Sequence, residues 1–296
     1  MSVNFIRALR LPFIVVSILP YVFGAFISRG NFNAAGFFFG LLAVVATHLS
    51  ANLMNDYADS KSGADWQDRR SFGFFGGSKL IQEGILSEGF YFKAALSFAA
   101  LAAFCVAALV IILKTFWVIG IFLLIIFLSW AYSVSPFKLV YRRAGELIIF
   151  LLFGPALVMG GYFIQTGIFP DLRSFLLSLS LGFLTAGILF ANEIPDYDDD
   201  CRVGKITAVS FTGKPLAYRL YYGIMGCAFI SVALCAGLGL INKFALFSLL
   251  LMFPAVSAGR ILKRHFEDKM LLKRSSVLTI LIHHLTGVIL IISLLF

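Results

Sequence analysis

The sequence predicts an all-α, polytopic membrane protein with nine transmembrane helices, and three observations predict it. Of its 296 residues, 60% are hydrophobic and 13% charged, against about 25% charged in average soluble domains. The apolar residues fall into nine stretches near the roughly 20-residue length that a spanning helix needs. The basic residues gather in alternate connections between those stretches, the pattern that orients a chain in a bilayer. That placement accounts for the net charge of +9 without a nucleic-acid partner.

The first stretch, 11–29, follows Arg7 and Arg10 and contains no small-residue cleavage site, so it reads as a retained span rather than a removed signal peptide. The second, 34–54, runs into an acidic cluster and a polar connection over 55–91 with five basic residues from Lys61 to Lys93. The third and fourth, 92–113 and 116–134, are separated by Lys114 and followed by Lys138, Arg142 and Arg143. The fifth, 146–165, and sixth, 174–192, flank Arg173; the sixth ends in a second acidic cluster and the polar connection 193–217. The seventh is 218–240. The eighth, 244–259, is the shortest, and six basic residues from Arg260 to Arg274 separate it from the ninth, 276–296. With the N-terminus in the cytoplasm, twenty Lys and Arg fall on the cytoplasmic side and four opposite. This supports nine spans with the C-terminus outside; eight spans would scramble the alternation. No linker or low-complexity tract divides the chain, which reads as a single domain over 1–296. Cys105, Cys201, Cys227 and Cys235 have no CxxC spacing, which argues against a disulfide framework or zinc site.

Two acidic clusters carry the chemistry. The first reads NLMNDYADSKSGAD, from Asn52 to Asp65; the second reads NEIPDYDDD, from Asn192 to Asp200. Residues three and four apart share a helix face, so Asn52, Asn55 and Asp59 align, with Asp56 beside them and His48 nearby. Asn192, Asp196 and Asp200 align likewise if the helix persists past Pro195. One such cluster is commonly a cap or a solvated loop; two on the same side of a nine-span protein are not. Carboxylates at membrane helix ends call for a partner. Magnesium fits, being a hard cation that binds one or two carboxylates plus phosphates and water. A diphosphate bound to it becomes a good leaving group.

These residues resemble the UbiA superfamily of membrane prenyltransferases. Asn55, Asp59 and Asp65 look like its first aspartate-rich motif, with Asp56 completing an Asn-Asp opening. Asn192, Asp196 and Asp200 look like its second, and CRVGKITA over 201–208 like the continuation. The resemblance covers essentially the whole chain. It implies nine helices around a central cavity and a lateral opening for a lipid tail. It also implies Mg2+ held by Asp56, Asp59, Asp65, Asp196 and Asp200, with Asp56, Asp59, Asp196 and Asp200 as the catalytic set. Asn55 and Asn192 are expected to contact substrate. The substrates implied are a polyprenyl diphosphate and an aromatic acceptor, at a bacterial cytoplasmic membrane. The SKSGAD and GKITA stretches look closest to the menaquinone branch, which prenylates 1,4-dihydroxy-2-naphthoate. The Asn-Arg-Pro-like tract of haem O synthases, chlorophyll synthases and many 4-hydroxybenzoate enzymes is replaced by FFGGSKLIQEGILS. One departure from the menaquinone pattern is Glu193, where that branch has a second Asn. Another acceptor, 4-hydroxybenzoate or a lipid, is the alternative.

Arg69, Lys79, Lys138, Arg142 and Lys205 are candidate diphosphate contacts, since Lys and Arg make charge-assisted bonds to phosphate oxygens; topology alone also puts basic residues on this side. Gly76-Gly77 is either a bend over the diphosphate or a plain turn. Tyr132 and Glu146 lie at the expected cytoplasmic mouth, to orient the acceptor or simply to sit at the interface. His48 either faces the cavity or bonds a neighbouring helix, and His283 and His284 are expected to make interhelical bonds. Some of the 33 Phe residues face lipid and others line a water-excluding pocket. A cation-coupled transporter is the competing class; acidic clusters at one membrane face beside long polar loops favour catalysis. Oligomeric state is not readable.

Overall fold

A computed structural model of the chain describes residues 2–28, 30, 32–64, 66 and 72–296. All regular structure among them is helical. A short helix α1 (Ser2–Leu9) leads through a 3-10 turn into α2 (Ile14–Ile27). There follow α3 (Ala34–Ser62), α4 (Glu88–Leu113), α5 (Trp117–Ala131), α6 (Gly145–Leu151), α7 (Leu157–Thr166) and α8 (Leu172–Arg202). The chain ends with α9 (Val209–Thr212), α10 (Lys214–Gly237), α11 (Met252–Arg264) and α12 (Lys269–Ser293). α6 and α7 form one span, Gly145–Thr166, as do α11 and the 3-10 segment Lys243–Leu251 before it. Among the described residues eight helices are long and apolar enough to cross a bilayer, and α5 is a shorter ninth.

Among the described residues a helix stands at each of the nine expected positions, eight of them long enough to span and all with lengths of their own. The eighth, expected to be the shortest, is 22 residues because its helix continues past 259 to Arg264; its first part winds as a 3-10 helix. α5 is the short one, at 15 residues. The second and sixth spans run past the ends set by hydropathy, to Ser62 and Arg202, because the acidic motifs continue the helices instead of leaving them.

Side-chain caps fix where both motif helices begin. Asn33 Oδ1 accepts the Gly36 N–H at 2.8 Å, and Asp171 Oδ1 accepts the Ser174 N–H at 2.6 Å, each satisfying a donor the first turn leaves open. α3 stops at Gly63, whose φ of 85° is open to glycine. Pro195 lies inside α8 without ending it. α8 is the most enclosed span, 72% of its apolar window being buried against 22–50% for the others. It packs on α10, α12 and the α6–α7 span, which makes it the pillar of the larger core cluster.

Helices in a bilayer associate through close contact of small residues. A side chain at Gly24 on α2 would collide with the Val158 backbone, and one at Gly161 with the Tyr21 carbonyl. A Cβ at Gly154 would lie 2.7 Å from the Gly182 Cα. Gly154 and Pro155 sit in a π-turn, Leu152–Ala156, the kind of widened turn that absorbs a proline's missing donor. His283 and His284 pack edge to face at 5.8 Å. The interhelical bonds expected of His283 are not formed: both its ring nitrogens are buried with no partner among the described residues.

Candidate active site

The C-terminal turns of α3 and α8 face each other across a polar cavity of about 110 Å3. Asn55 and Asp59 line it from α3; Asn192, Glu193, Asp196, Asp199 and Asp200 line it from α8. The two motifs therefore meet at one place. The 72–79 loop covers the cavity with Phe72, Phe74, Phe75, Gly76, Gly77 and Lys79. Phe72 and Phe75 stack at 4.8 Å.

Two carboxylates tie that loop down. Asp196 Oδ2 accepts the Gly76 N–H at 2.9 Å, and Asp56 Oδ2 accepts the Ser78 N–H at 3.1 Å. Gly76 and Gly77 both have positive φ, 71° and 69°, so the pair is a bend over the cavity. A Cβ on Gly76 would lie 3.6 Å from both Asp196 Oδ1 and Lys79 Nζ, which puts the lysine beside the second motif. Lys79 is buried. Asp56 is not among the cavity-lining residues; besides the loop it meets Arg10 Nη1 at 3.8 Å.

The other sequence candidates divide. Lys205 lines the cavity and pairs with Asp200 at 3.1 Å. Burial alone would lower its pKa, but the charges of Asp200, Asp59 and Asp196 outweigh burial and hold it well above the usual lysine value. Tyr132 lines the cavity as well. Lys138 and Arg142 do not: Lys138 sits over the Tyr141 ring at 4.8 Å, and Arg142 donates to the Pro136 carbonyl at 3.1 Å from an exposed position. Glu146 accepts the Ala208 N–H at 2.6 Å, closing the loop after the second motif. Tyr141 donates to Ser62 Oγ at 2.7 Å, and burial, then the charge of Asp59, raises its pKa. Asp65 and Arg69 lie outside the described residues.

Sequence reasoning passed over Arg10 and Lys269 as site residues. Arg10 lines the cavity from the junction of α1 and α2, its guanidinium over the Phe13 ring at 4.8 Å. Lys269 reaches in from α12 and bonds Asp199 at 3.1 Å. Neither belongs to a local motif, so only tertiary packing reveals them.

Below the polar cavity lies a larger chamber of about 290 Å3, sharing Arg10, Asn55, Tyr132, Leu189 and Asn192 with it. Its walls come from α2 to α8 and are mostly apolar. The donor set fits magnesium. Asn192 Oδ1 is buried and has no partner among the described residues, an open oxygen on the helix face that also carries Asp196 and Asp200. Among those residues no three His, Cys or acidic side chains enclose a metal by themselves. Magnesium suits such a half-shell because it takes few protein carboxylates and completes its octahedron with phosphate and water.

Comparison with known proteins gives the family and the fold. The model of the UbiA prenyltransferase family matches residues 17–277. A 1,4-dihydroxy-2-naphthoate octaprenyltransferase from Mycobacterium tuberculosis is 30% identical over 189 residues, covering 64% of this chain and 62% of that protein, less than two thirds of its length. A 2-carboxy-1,4-naphthoquinone phytyltransferase from Synechocystis sp. is 25% identical over 267 residues, 88% of this chain and 81% of that protein. The apo structure of a UbiA homolog from Aeropyrum pernix superposes with a TM-score of 0.73 at 17% identity, covering 94% of this chain and 97% of that one. A UbiA homolog from Archaeoglobus fulgidus bound to DMAPP and Mg2+ gives 0.67 at 17% identity, covering 97% and 99%. At such identity these two speak for the fold. With its paired motifs facing one cavity, the chain belongs to the UbiA prenyltransferase family.

Proposed function

We propose that the chain transfers a polyprenyl group from an allylic polyprenyl diphosphate to an aromatic acceptor in a magnesium-dependent reaction, with 1,4-dihydroxy-2-naphthoate as the acceptor. The observation that carries this reading is the acidic ends of α3 and α8 lining one cavity that opens into an apolar chamber. The naphthoate assignment is supported by the names of the relatives from Mycobacterium tuberculosis and Escherichia coli, at 30% and 26% identity. We assign it to a bacterial cytoplasmic membrane by its resemblance to the family, and the bias of Lys and Arg supports a single domain with the N-terminus and the acidic loops toward the cytoplasm.

Asp59, Asp196 and Asp200, with the Asn55 and Asn192 side chains, would hold magnesium and the diphosphate; Asp65 is assigned to the same set on its motif alone. Bound there, magnesium neutralises the charge that develops on the departing diphosphate. Lys79, Lys205 and Arg10, all lining the cavity, add fixed positive charge around the phosphate oxygens. The C1–O bond breaks, the electron pair leaves with the diphosphate, and the acceptor's ring carbon bonds to C1. A proton or carboxyl group then leaves the ring. Phe72, Phe74, Phe75 and the chamber walls keep out the water that would otherwise capture the allylic cation. Asp56 acts through the loop that it anchors.

The test is an assay in detergent, without any ion gradient, of radiolabelled polyprenyl diphosphate against a panel of aromatic acceptors, with and without magnesium. Asp59→Ala and Asp196→Ala are each expected to reduce turnover by about 100- to 1000-fold while the protein still inserts. Near-normal rates in both variants would reject the assignment.

A further inference from the structure

The chamber beneath the acidic cavity has two unlike walls. α4 and α5 face it with Val106, Leu109, Val118, Ile121, Phe122 and Ile125, Ser129 being the one polar side chain among them. α2, α3 and α8 face it with apolar residues interspersed with Ser17, Thr47, His48, Asn52, Thr185 and Asn192. A prenyl tail needs only the first kind of wall. Buried polar groups are costly without hydrogen bonds, so the second wall has to be explained by something else.

Two of its groups are incomplete. His48 is 8% exposed; its Nδ1 is held by Ser17 Oγ at 2.6 Å, and its Nε2 has no partner among the described residues. Its ring meets Phe153 edge to face at 5.7 Å. Ser17 from the neighbouring helix and Phe153, which also lines the chamber, therefore set the orientation of the imidazole. Asn52, one turn further along α3, leaves its buried Nδ2 equally without a partner. Side chains four apart on a helix stand about 5–6 Å apart at Cβ, close to the span between two oxygens in para positions on a six-membered ring. Both groups lie within two turns of Asn55, where the chamber joins the acidic cavity.

We propose that His48 Nε2 and the Asn52 side-chain amide form a two-point seat for the oxygen substituents of the aromatic acceptor. Ser17 is a positioning residue that fixes the His48 ring, and the apolar remainder of the chamber is left to the prenyl chain. The seat selects rings with two oxygens para to each other and holds the ring carbon between them near the carbon that loses diphosphate. This rests on the prenyl-transfer reading and adds the recognition of the second substrate.

The experiment measures kcat/KM for a para-dihydroxy aromatic acceptor and for its analogue lacking one hydroxyl, together with KM for the prenyl diphosphate. Wild type, His48→Leu, His48→Gln and Ser17→Ala are compared, with thermal stability in detergent as a folding control. His48→Leu is expected to lower kcat/KM for the dihydroxy acceptor by about 10- to 100-fold, to discriminate little between the two acceptors, and to leave KM for the prenyl diphosphate within about twofold. The polar His48→Gln side chain restores part of the discrimination, and Ser17→Ala loses part of it. Equal losses on both acceptors, or a matching rise in KM for the prenyl diphosphate, would overturn the seat while leaving the transferase reading intact. A wild-type protein that prenylates no aromatic acceptor would sink both.

Discussion

At the scale of single residues, charge pairing decides which side chains are committed to the site. Lys205 and Asp200 lie 3.1 Å apart on adjoining turns of one acidic motif and its loop. Removing the lysine leaves a buried carboxylate without its nearest cation, so Lys205→Met is expected to cost about 3 kcal/mol of stability, read as a lowered unfolding temperature in detergent. The lysine's pKa is raised in the folded protein. The pair's contribution is therefore complete below the ordinary lysine pKa and declines only as pH rises through the raised value. A pH–rate profile from 6 to 9 is accordingly expected to show no ionisation of Lys205. This residue was legible in the sequence because it follows the motif by five positions. Arg10 and Lys269 were not: their roles depend on the α1–α2 junction and α12 delivering them to the cavity from opposite ends of the chain. Lys138 and Arg142 illustrate the converse, basic residues on the right side of the membrane that the chain directs away from the cavity.

At the scale of elements, the spans were legible from hydropathy, but their ends were not. Hydropathy falls where Asn and Asp begin, at 54 and 192, yet the helices continue to Ser62 and Arg202. Backbone hydrogen bonding persists through polar residues once a neighbouring element packs against them, and here the turns that look like loop are the turns that bear the site. The α5 span reads longer than its 15 residues because apolar residues on both sides of the helix belong to the bends that flank it. The crossing of α2 and α7 was equally hidden, since no single stretch shows which glycine meets which backbone. Gly24 approaches the Val158 carbonyl so closely that a Cβ there collides with main chain rather than with a movable side-chain tip. Gly24→Leu is expected to push the two helices apart at a cost of about 3 kcal/mol or more. A lowered unfolding temperature of the detergent-solubilised protein checks this, while Gly120→Ala, where nothing lies within 4 Å, should leave it nearly unchanged.

At the scale of the whole molecule, the fold is a container with a charged mouth and an apolar depth, and the depth carries its own consequence. Asn55, Tyr132 and Asn192 mark the mouth of the chamber, where the acidic cavity joins it; Tyr21, Gly40, Ala43, Phe163 and Ile164 mark the far end. A prenyl chain whose diphosphate is held at the mouth must run toward that end, because the opposite direction is occupied by charged groups that a hydrocarbon cannot solvate. Ala43 lies on α3 about three turns below Asn55, a rise of roughly 18 Å at 1.5 Å per residue. Enlarging it obstructs the last part of the path without touching the acidic motifs. Ala43→Phe is therefore expected to reduce kcat/KM for long polyprenyl diphosphates by about tenfold or more, and to leave a five- or ten-carbon donor within about twofold, the selectivity typical of a hydrophobic pocket changed by a few carbon atoms. Competition between a short and a long donor in one reaction, read as the ratio of the two products, measures this directly. An unchanged ratio would mean that the tail leaves the chamber sideways, past α5, before it reaches Ala43.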